Sequence, residues 1–156
     1  MSQQPAPARQ KKRRFAGTPA QIRSAAAFYK VLAYATGVML LLVVIEMVAK
    51  YGYGTEIVVG GTMADGSPNS FGFLPEGSFE GGINLSTVVL IVHGWMYVAY
   101  LIADFRLWSL MRWPFSRFIT IALGGVVPLL SFFMERKVHS EVERELATHP
   151  EAAKRY

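Results

Sequence analysis

Apolar residues are gathered along this chain into three runs separated by polar stretches. Phe28 to Ala49 (FYKVLAYATGVMLLLVVIEMVA) contains only Lys30 and Glu46 as ionisable residues. At ~1.5 Å per residue this run covers the ~30 Å of a hydrocarbon layer and predicts a first membrane-spanning helix. It is too long for a cleavable signal peptide, and no A-x-A-like site follows it. Leu85 to Ala103 carries one histidine and ends at Asp104 and Arg106, predicting a second span. Phe118 to Met134 is uncharged but short, and reaches spanning length by borrowing the turn back towards Trp113. Gly124, Gly125 and Pro128 lie inside it. The proline removes an amide and crowds the Gly124 carbonyl, so a kink is expected there.

The pattern therefore predicts an all-α membrane protein with three transmembrane helices, at about residues 28–49, 85–104 and 115–134. Between the first two, residues 51–84 hold nine Gly and two Pro and form a long Gly-rich external loop. A short hairpin around Asp65-Gly66 is expected there, its apolar stretches Ile57-Val58-Val59 and Phe71-Gly72-Phe73-Leu74 lying on the outer membrane face. Asn84-Leu85-Ser86 matches the glycosylation pattern but adjoins the second span. Residues 1–24 form a disordered basic cytoplasmic tail and residues 25–137 the transmembrane domain. Residues 138–156 form a charged tail, where Val138, Val142, Glu145 and Leu146 share one face of a short helix ending by Pro150.

Lysines and arginines set the orientation. Six bases and no acid precede the first run, four acids and no base occupy 51–84, and Arg106, Arg112 and Arg117 occupy the link at 105–117. This asymmetry places the N-terminus and that link in the cytoplasm and the Gly-rich loop outside. Three spans would leave the C-terminal tail outside, although it carries Arg136, Lys137, Arg144, Lys154 and Arg155. A re-entrant hairpin in the third run would return the tail to the cytoplasm, but hairpin backbone is tolerated in a bilayer only where protein covers it. Three spans are the expectation.

Composition sharpens the picture in two places. Hydrophobic residues make up 52% of the 156, beside 16 Lys+Arg and 11 Asp+Glu, so apolar and charged positions are segregated as in no ordinary soluble globule. With no cysteine there is no disulfide, thiolate nucleophile or Cys-bound metal or haem. The run Lys11-Lys12-Arg13-Arg14 resembles a nucleic-acid patch, but beside a membrane helix it reads as a topogenic segment that also attracts anionic lipid. No nucleic-acid partner is expected.

Candidate chemistry is confined to ionisable groups within the spans, which are costly in lipid. His93 falls near the midplane. Steps of four, three and four residues reach Tyr97, Tyr100 and Asp104, giving one polar face from mid-bilayer to the cytoplasmic edge, which should turn towards the other helices. Gly94 removes a side chain where a neighbouring helix can approach, with Gly37 and Gly124/Gly125 as small surfaces opposite. At similar depths Asp104 and Lys30 are expected to pair, and Glu46 to pair with Lys50 four residues on. His93 is read first as a neutral packing residue and second as part of a proton relay through Tyr97, Tyr100 and Asp104. A single membrane histidine supplies one axial ligand at most, so haem is set aside. Trp108 and Trp113 suit a cytoplasmic aromatic belt, whereas Trp95 is too deep for one. No P-loop, dinucleotide-binding, zinc-protease or nucleophile-elbow motif is present. No enzyme activity, cofactor or metal is therefore expected.

The stretch Ile91-Val92-His93-Gly94-Trp95 in the middle span, with Phe28-Tyr29 near the start of the first and Phe118 to Met134 after, resembles a family of small bacterial integral membrane proteins of unknown function. That family is marked by three predicted spans and a mid-membrane His-Gly dipeptide, and the likeness covers roughly residues 25–137. Its members occur in actinobacteria and Bacillus-like bacteria, a few fused to transporter domains. The resemblance implies a bacterial plasma membrane location and an accessory role beside a larger membrane protein, and assigns no catalytic residue. The expected function is non-enzymatic association, as a homo- or hetero-oligomer, with an oligomeric proton-coupled transporter or channel using His93 as the alternative.

Overall fold

The computed structural model describes residues 14–150. Helix α1 runs from Pro19 to Tyr53. Its start is fixed by a capping box. The Thr18 hydroxyl accepts from the Gln21 amide at 3.2 Å, the Gln21 side chain accepts from the Thr18 amide at 3.0 Å, and Pro19 occupies the first turn where its missing amide costs nothing. Gly54, in a left-handed conformation, closes the other end. Helix α2 runs from Leu85 to Met111, and its N-cap Asn84 accepts from the Thr87 amide at 3.0 Å. The Asn84 amide group donates to Glu56 at 2.7 Å, so this asparagine is a cap rather than a free glycan acceptor.

The third apolar run is not one helix. Helix α3 covers Phe115–Ala122, a 3₁₀ turn covers Leu123–Gly125, and after a tight turn at Pro128 helix α4 runs from Leu130 to Thr148. The expected kink at Gly124, Gly125 and Pro128 is a full reversal. The chain enters on α3 and returns on α4, which continues without interruption into the segment expected to be a separate tail. Ion pairs Arg23–Glu143 at 3.3 Å and Arg14–Glu145 at 3.4 Å set the C-terminal end of α4 against the start of α1. Both ends of the described chain therefore lie at one end of the bundle.

The core sits at that same end. Phe15, Ile22, Ala25, Ala26 and Tyr29 pack against Tyr100, Ala103, Leu107 and Met111 of α2 and against Val138, Val142 and Leu146 of α4. The last three are the face that the sequence marked on the C-terminal segment. Residues 14–24 differ from the expected disordered tail, since Phe15 is buried and the Ala16 amide donates to the Leu110 carbonyl at 2.8 Å. Lys11, Lys12 and Arg13 lie outside the described residues.

At the opposite end, the Gly-rich segment is a small pair of sheets. Strand β1 (Thr55–Val59) lies between β3 (Phe71–Pro75) and β5 (Ile83–Asn84), antiparallel to both, while β2 (Thr62–Met63) pairs with β4 (Phe79–Glu80). The two apolar stretches singled out in the sequence are partners, with Ile57 opposite Phe73 and Val59 opposite Phe71. The hairpin at Asp65-Gly66 is present, closed by the Met63 amide donating to the Ser67 carbonyl at 2.8 Å. Gly61 and Gly82 are required where the two sheets meet. A side chain on Gly82 would come within 2.6 Å of the Gly60 carbonyl oxygen, and one on Gly61 within 2.8 Å of the Glu80 carbonyl oxygen.

Candidate functional site

The polar face of α2 meets the hairpin. A helix that stops inside a bundle leaves its last carbonyls without partners. Those of α3 are met by tyrosines: the Tyr100 hydroxyl donates to the Ile121 carbonyl at 2.7 Å and the Tyr97 hydroxyl to the Ala122 carbonyl at 3.2 Å. Tyr29 of α1 completes the group, its hydroxyl 3.3 Å from that of Tyr100 and its ring centroid 5.5 Å away. Gly124 and Gly125 let the rings approach, since a side chain on Gly125 would stand 2.6 Å from the Tyr97 ring and one on Gly124 3.1 Å from the Tyr100 hydroxyl. The small surfaces expected at 124/125 thus receive tyrosines of α2 rather than another helix backbone. Gly37 faces Ser131 and Phe132 of α4.

The expected Lys30–Asp104 pair is not formed. Lys30 lies 3.7 Å from Glu135, which α4 brings back to the depth where a straight third span would have placed nothing. Asp104 is completely buried, and neither of its oxygens has a hydrogen-bond partner among the described residues. Glu46–Lys50 is also not the pair that forms. Lys50 reaches across to the sheet, 2.5 Å from Glu56 and 3.5 Å from Glu76, because β1 folds back over the end of α1. One Glu46 oxygen is left buried and without a hydrogen-bond partner among the described residues. Near Glu46, a cleft of ≈210 Å³ opens between α1, α2 and β1, lined by Glu46, Lys50, Glu56, Ser86 and Thr87 together with Tyr51 and aliphatic side chains.

His93 is half-buried, and its Nδ1 has no hydrogen-bond partner among the described residues. The residue after it, Gly94, is open on its outer side, with nothing within 4 Å of where a side chain would begin. Gly94 therefore meets no neighbouring helix on that side among the described residues. Tyr97 and Tyr100 are held by hairpin carbonyls, so the two hydroxyls on the face from His93 to Asp104 are engaged within the chain. Trp113 is nearly buried, with the Arg117 guanidinium 5.6 Å from its ring centroid, while Trp108 donates to the Pro114 carbonyl at 3.2 Å. Trp113 is thus a core residue and not part of an exposed belt. No group of three His, Asp or Glu side chains gathers as a metal site among the described residues.

Three polar contributors were not singled out in the sequence. The Ser131 hydroxyl donates to the Ala33 carbonyl, the Thr36 hydroxyl donates to the Met96 carbonyl at 3.4 Å, and Glu135 takes Lys30. Ser131, Glu135, Val138 and Val142 follow one another at helical spacing, and that stripe was the available signal. Outside the helices, Asp65 accepts from the Ser67 hydroxyl at 2.6 Å and the Ser67 amide at 2.9 Å. These bonds hold its carboxyl below the usual value of 3.8.

The helices decide the broad class. α1 and α2 are each long and apolar enough to cross a membrane, and only 6% of the most apolar 18-residue stretch of α2 is buried, against what a soluble core helix would require. The protein is thus mostly helical, with two helices whose length and apolarity suit a bilayer. Its sequence places it further: residues 26–140 match the domain of unknown function DUF3817, and the chain belongs to that family. It is similar to an uncharacterized protein of Mycobacterium tuberculosis, 28% identical over 123 residues that cover 79% of this chain and 80% of the relative. An uncharacterized protein of Mycobacterium leprae is 26% identical over 113 residues, 72% of this chain and 71% of the relative. No solved structure matches the chain.

Proposed function

We propose that this chain is a non-enzymatic integral protein of a bacterial plasma membrane that acts by associating with a second membrane protein or with its own copies. In this reading α1 and α2 span the bilayer, and α3 and α4 form a re-entrant hairpin. The N-terminus, the 105–117 link and the C-terminal helix face the cytoplasm, and the sheets face outward. The single observation carrying the reading is the division of α2 into two faces. Its polar face is engaged by the hairpin, while Ile91, Trp95, Val98, Ile102 and Phe105 stand exposed. Trp95 is 73% exposed and Ile102 63%, a surface suited to acyl chains and partner helices and not to water. The hairpin also removes the charge conflict: with the tail returned to the cytoplasm, Arg136, Lys137 and Arg144 obey the positive-inside rule. The tyrosines cover the Ile121 and Ala122 carbonyls where α3 ends, and cover of that kind is what irregular backbone needs at membrane depth.

Impermeant thiol reagents applied to single-cysteine variants test the arrangement. Positions 16 and 147 should label only from the cytoplasmic side and position 77 only from outside; labelling of 147 from outside would overturn it. Gentle extraction followed by sizing tests association, and a lone monomer under all mild conditions would remove that part of the reading.

A second reading is favoured by one observation. His93 and Asp104 lie on the same face of α2, and each keeps a buried polar atom without a partner among the described residues. These are the features of groups that exchange protons. His93→Gln separates the two readings: loss of pH-driven flux in proteoliposomes with assembly retained supports transport, and loss of assembly supports packing.

A further inference from the structure

The outward side of the hairpin carries a groove of ≈190 Å³ formed by Leu129, Phe132, Phe133 and Arg136. Its floor is rigid. Phe132 packs at a tilt against Tyr34 of α1, with ring centroids 5.6 Å apart, and presses against Gly37, where a side chain would come within 3.0 Å of the ring. Its walls, Leu129 and Phe133, are exposed. Leu129 has φ +67°, a left-handed conformation that leucine seldom adopts, and strain of this kind is retained where the local geometry is imposed by its surroundings.

At the rim stands an uncommitted cation. Arg14, Arg23, Lys30 and Arg117 each have a carboxylate partner, whereas Arg136 and its neighbour Lys137 form no ion pair with any described residue. From Phe118 to Met134 the hairpin carries no charge, and charges begin at Glu135 beside Lys30. Arg136 is therefore at the level where the apolar zone ends, directly below an apolar slot.

We infer that this groove is a binding site for an anionic phospholipid of the cytoplasmic leaflet, with Arg136 taking the headgroup phosphate, Lys137 adding positive field, and Leu129, Phe132 and Phe133 receiving the upper part of an acyl chain. The inference rests on the membrane orientation proposed above. Charge complementarity selects the occupant: a zwitterionic lipid would bring its own ammonium to an already cationic rim, and a partner helix would leave Arg136 without an anion.

The test uses the full chain in phosphatidylcholine nanodiscs with and without phosphatidylglycerol, counting retained lipid by native mass spectrometry. Wild type retains phosphatidylglycerol selectively, and Arg136→Gln lowers that selectivity about five-fold, the effect of one base near a membrane surface. Leu129→Gly lowers retention while the thermal midpoint does not fall, because glycine accepts the left-handed turn. Arg106→Gln, an exposed base at the same end but outside the groove, leaves selectivity unchanged. Unaltered selectivity in Arg136→Gln, or an equal fall in Arg106→Gln, overturns the site. Displacement of lipid by inorganic phosphate as effective as by phosphatidylglycerol reassigns it to a free anion and also overturns it. Alkaline carbonate distinguishes the underlying reading. A chain that washes off membranes sinks the orientation itself, whereas a chain that stays while Arg136→Gln has no effect sinks only the lipid site.

Discussion

The Tyr100 hydroxyl donates to the Ile121 carbonyl at 2.7 Å, and this bond joins the middle of α2 to the point where α3 gives up its helix. A buried carbonyl deprived of its donor loses about 1–3 kcal/mol. Tyr100→Phe, which keeps the ring and removes the hydroxyl, is expected to destabilise the protein within that range. Tyr97→Phe, whose bond is 3.2 Å and less buried, should cost less. Unfolding in mixed micelles reads the order, and hydrogen exchange should accelerate at residues 123–127. Equal stability of Tyr100→Phe and wild type would show that the hairpin does not depend on this bond.

The glycines divide by what surrounds them. Gly125→Ala forces a methyl into the Tyr97 ring and should cost about 1–3 kcal/mol as an overpacked site. Gly94→Ala meets open space, so it should leave the isolated chain as stable or raise its stability by up to about 1 kcal/mol through helix propensity. A thermal-shift comparison of the two variants decides it; a loss of monomer stability in Gly94→Ala would contradict the open position.

Lys30 stands 3.7 Å from Glu135 and forms no ion pair with Asp104. A double-mutant cycle with Lys30→Met and Glu135→Gln should give a coupling of about 0.5–1 kcal/mol, modest because the lysine is half exposed. The cycle with Asp104→Asn should give a value near zero. Reversed couplings would restore the pairing that depth alone suggests.

Asp65 should titrate below its ordinary value of 3.8, held there first by the Ser67 hydroxyl and then by the Ser67 amide. Because its pKa is lowered on folding, the turn is favoured above the unfolded value and loses that contribution as pH falls through the folded one. Ser67→Ala should move the carboxyl midpoint upward by removing the hydroxyl donor. Carbon-detected NMR titration reads the shift directly, and an unmoved midpoint would refute the assignment.

The two long helices were legible because length and apolarity suffice to mark a long apolar helix. The reversal was half legible: Gly124, Gly125 and Pro128 marked the break, and Arg136 and Lys137 argued for a returning tail. What the linear pattern did not supply was the cover for broken backbone, since nothing in the spacing of Tyr97 and Tyr100 says that their hydroxyls reach Ile121 and Ala122. The error over Lys30 followed from this, because Glu135 arrives at its depth only once the chain has turned back. In residues 51–84 the glycines masked strand alternation. Glu56 and Val58 turn inward while Val59 and Phe71 turn out, but the strands are too short for a period of two to stand above the turns. The buried stripe of α4 was visible in Val138, Val142 and Leu146, and its extension upward through Ser131 and Glu135 was hidden by the assumed span boundary.

The outer sheet is joined to the helices almost without slack. β1 starts two residues after α1 ends, and Asn84 is at once the last residue of β5 and the cap of α2. Such a joint transmits torque. A load that tilts the sheet acts directly on the ends of both long helices, and the tyrosines of α2 pass it on to the hairpin at Ile121 and Ala122.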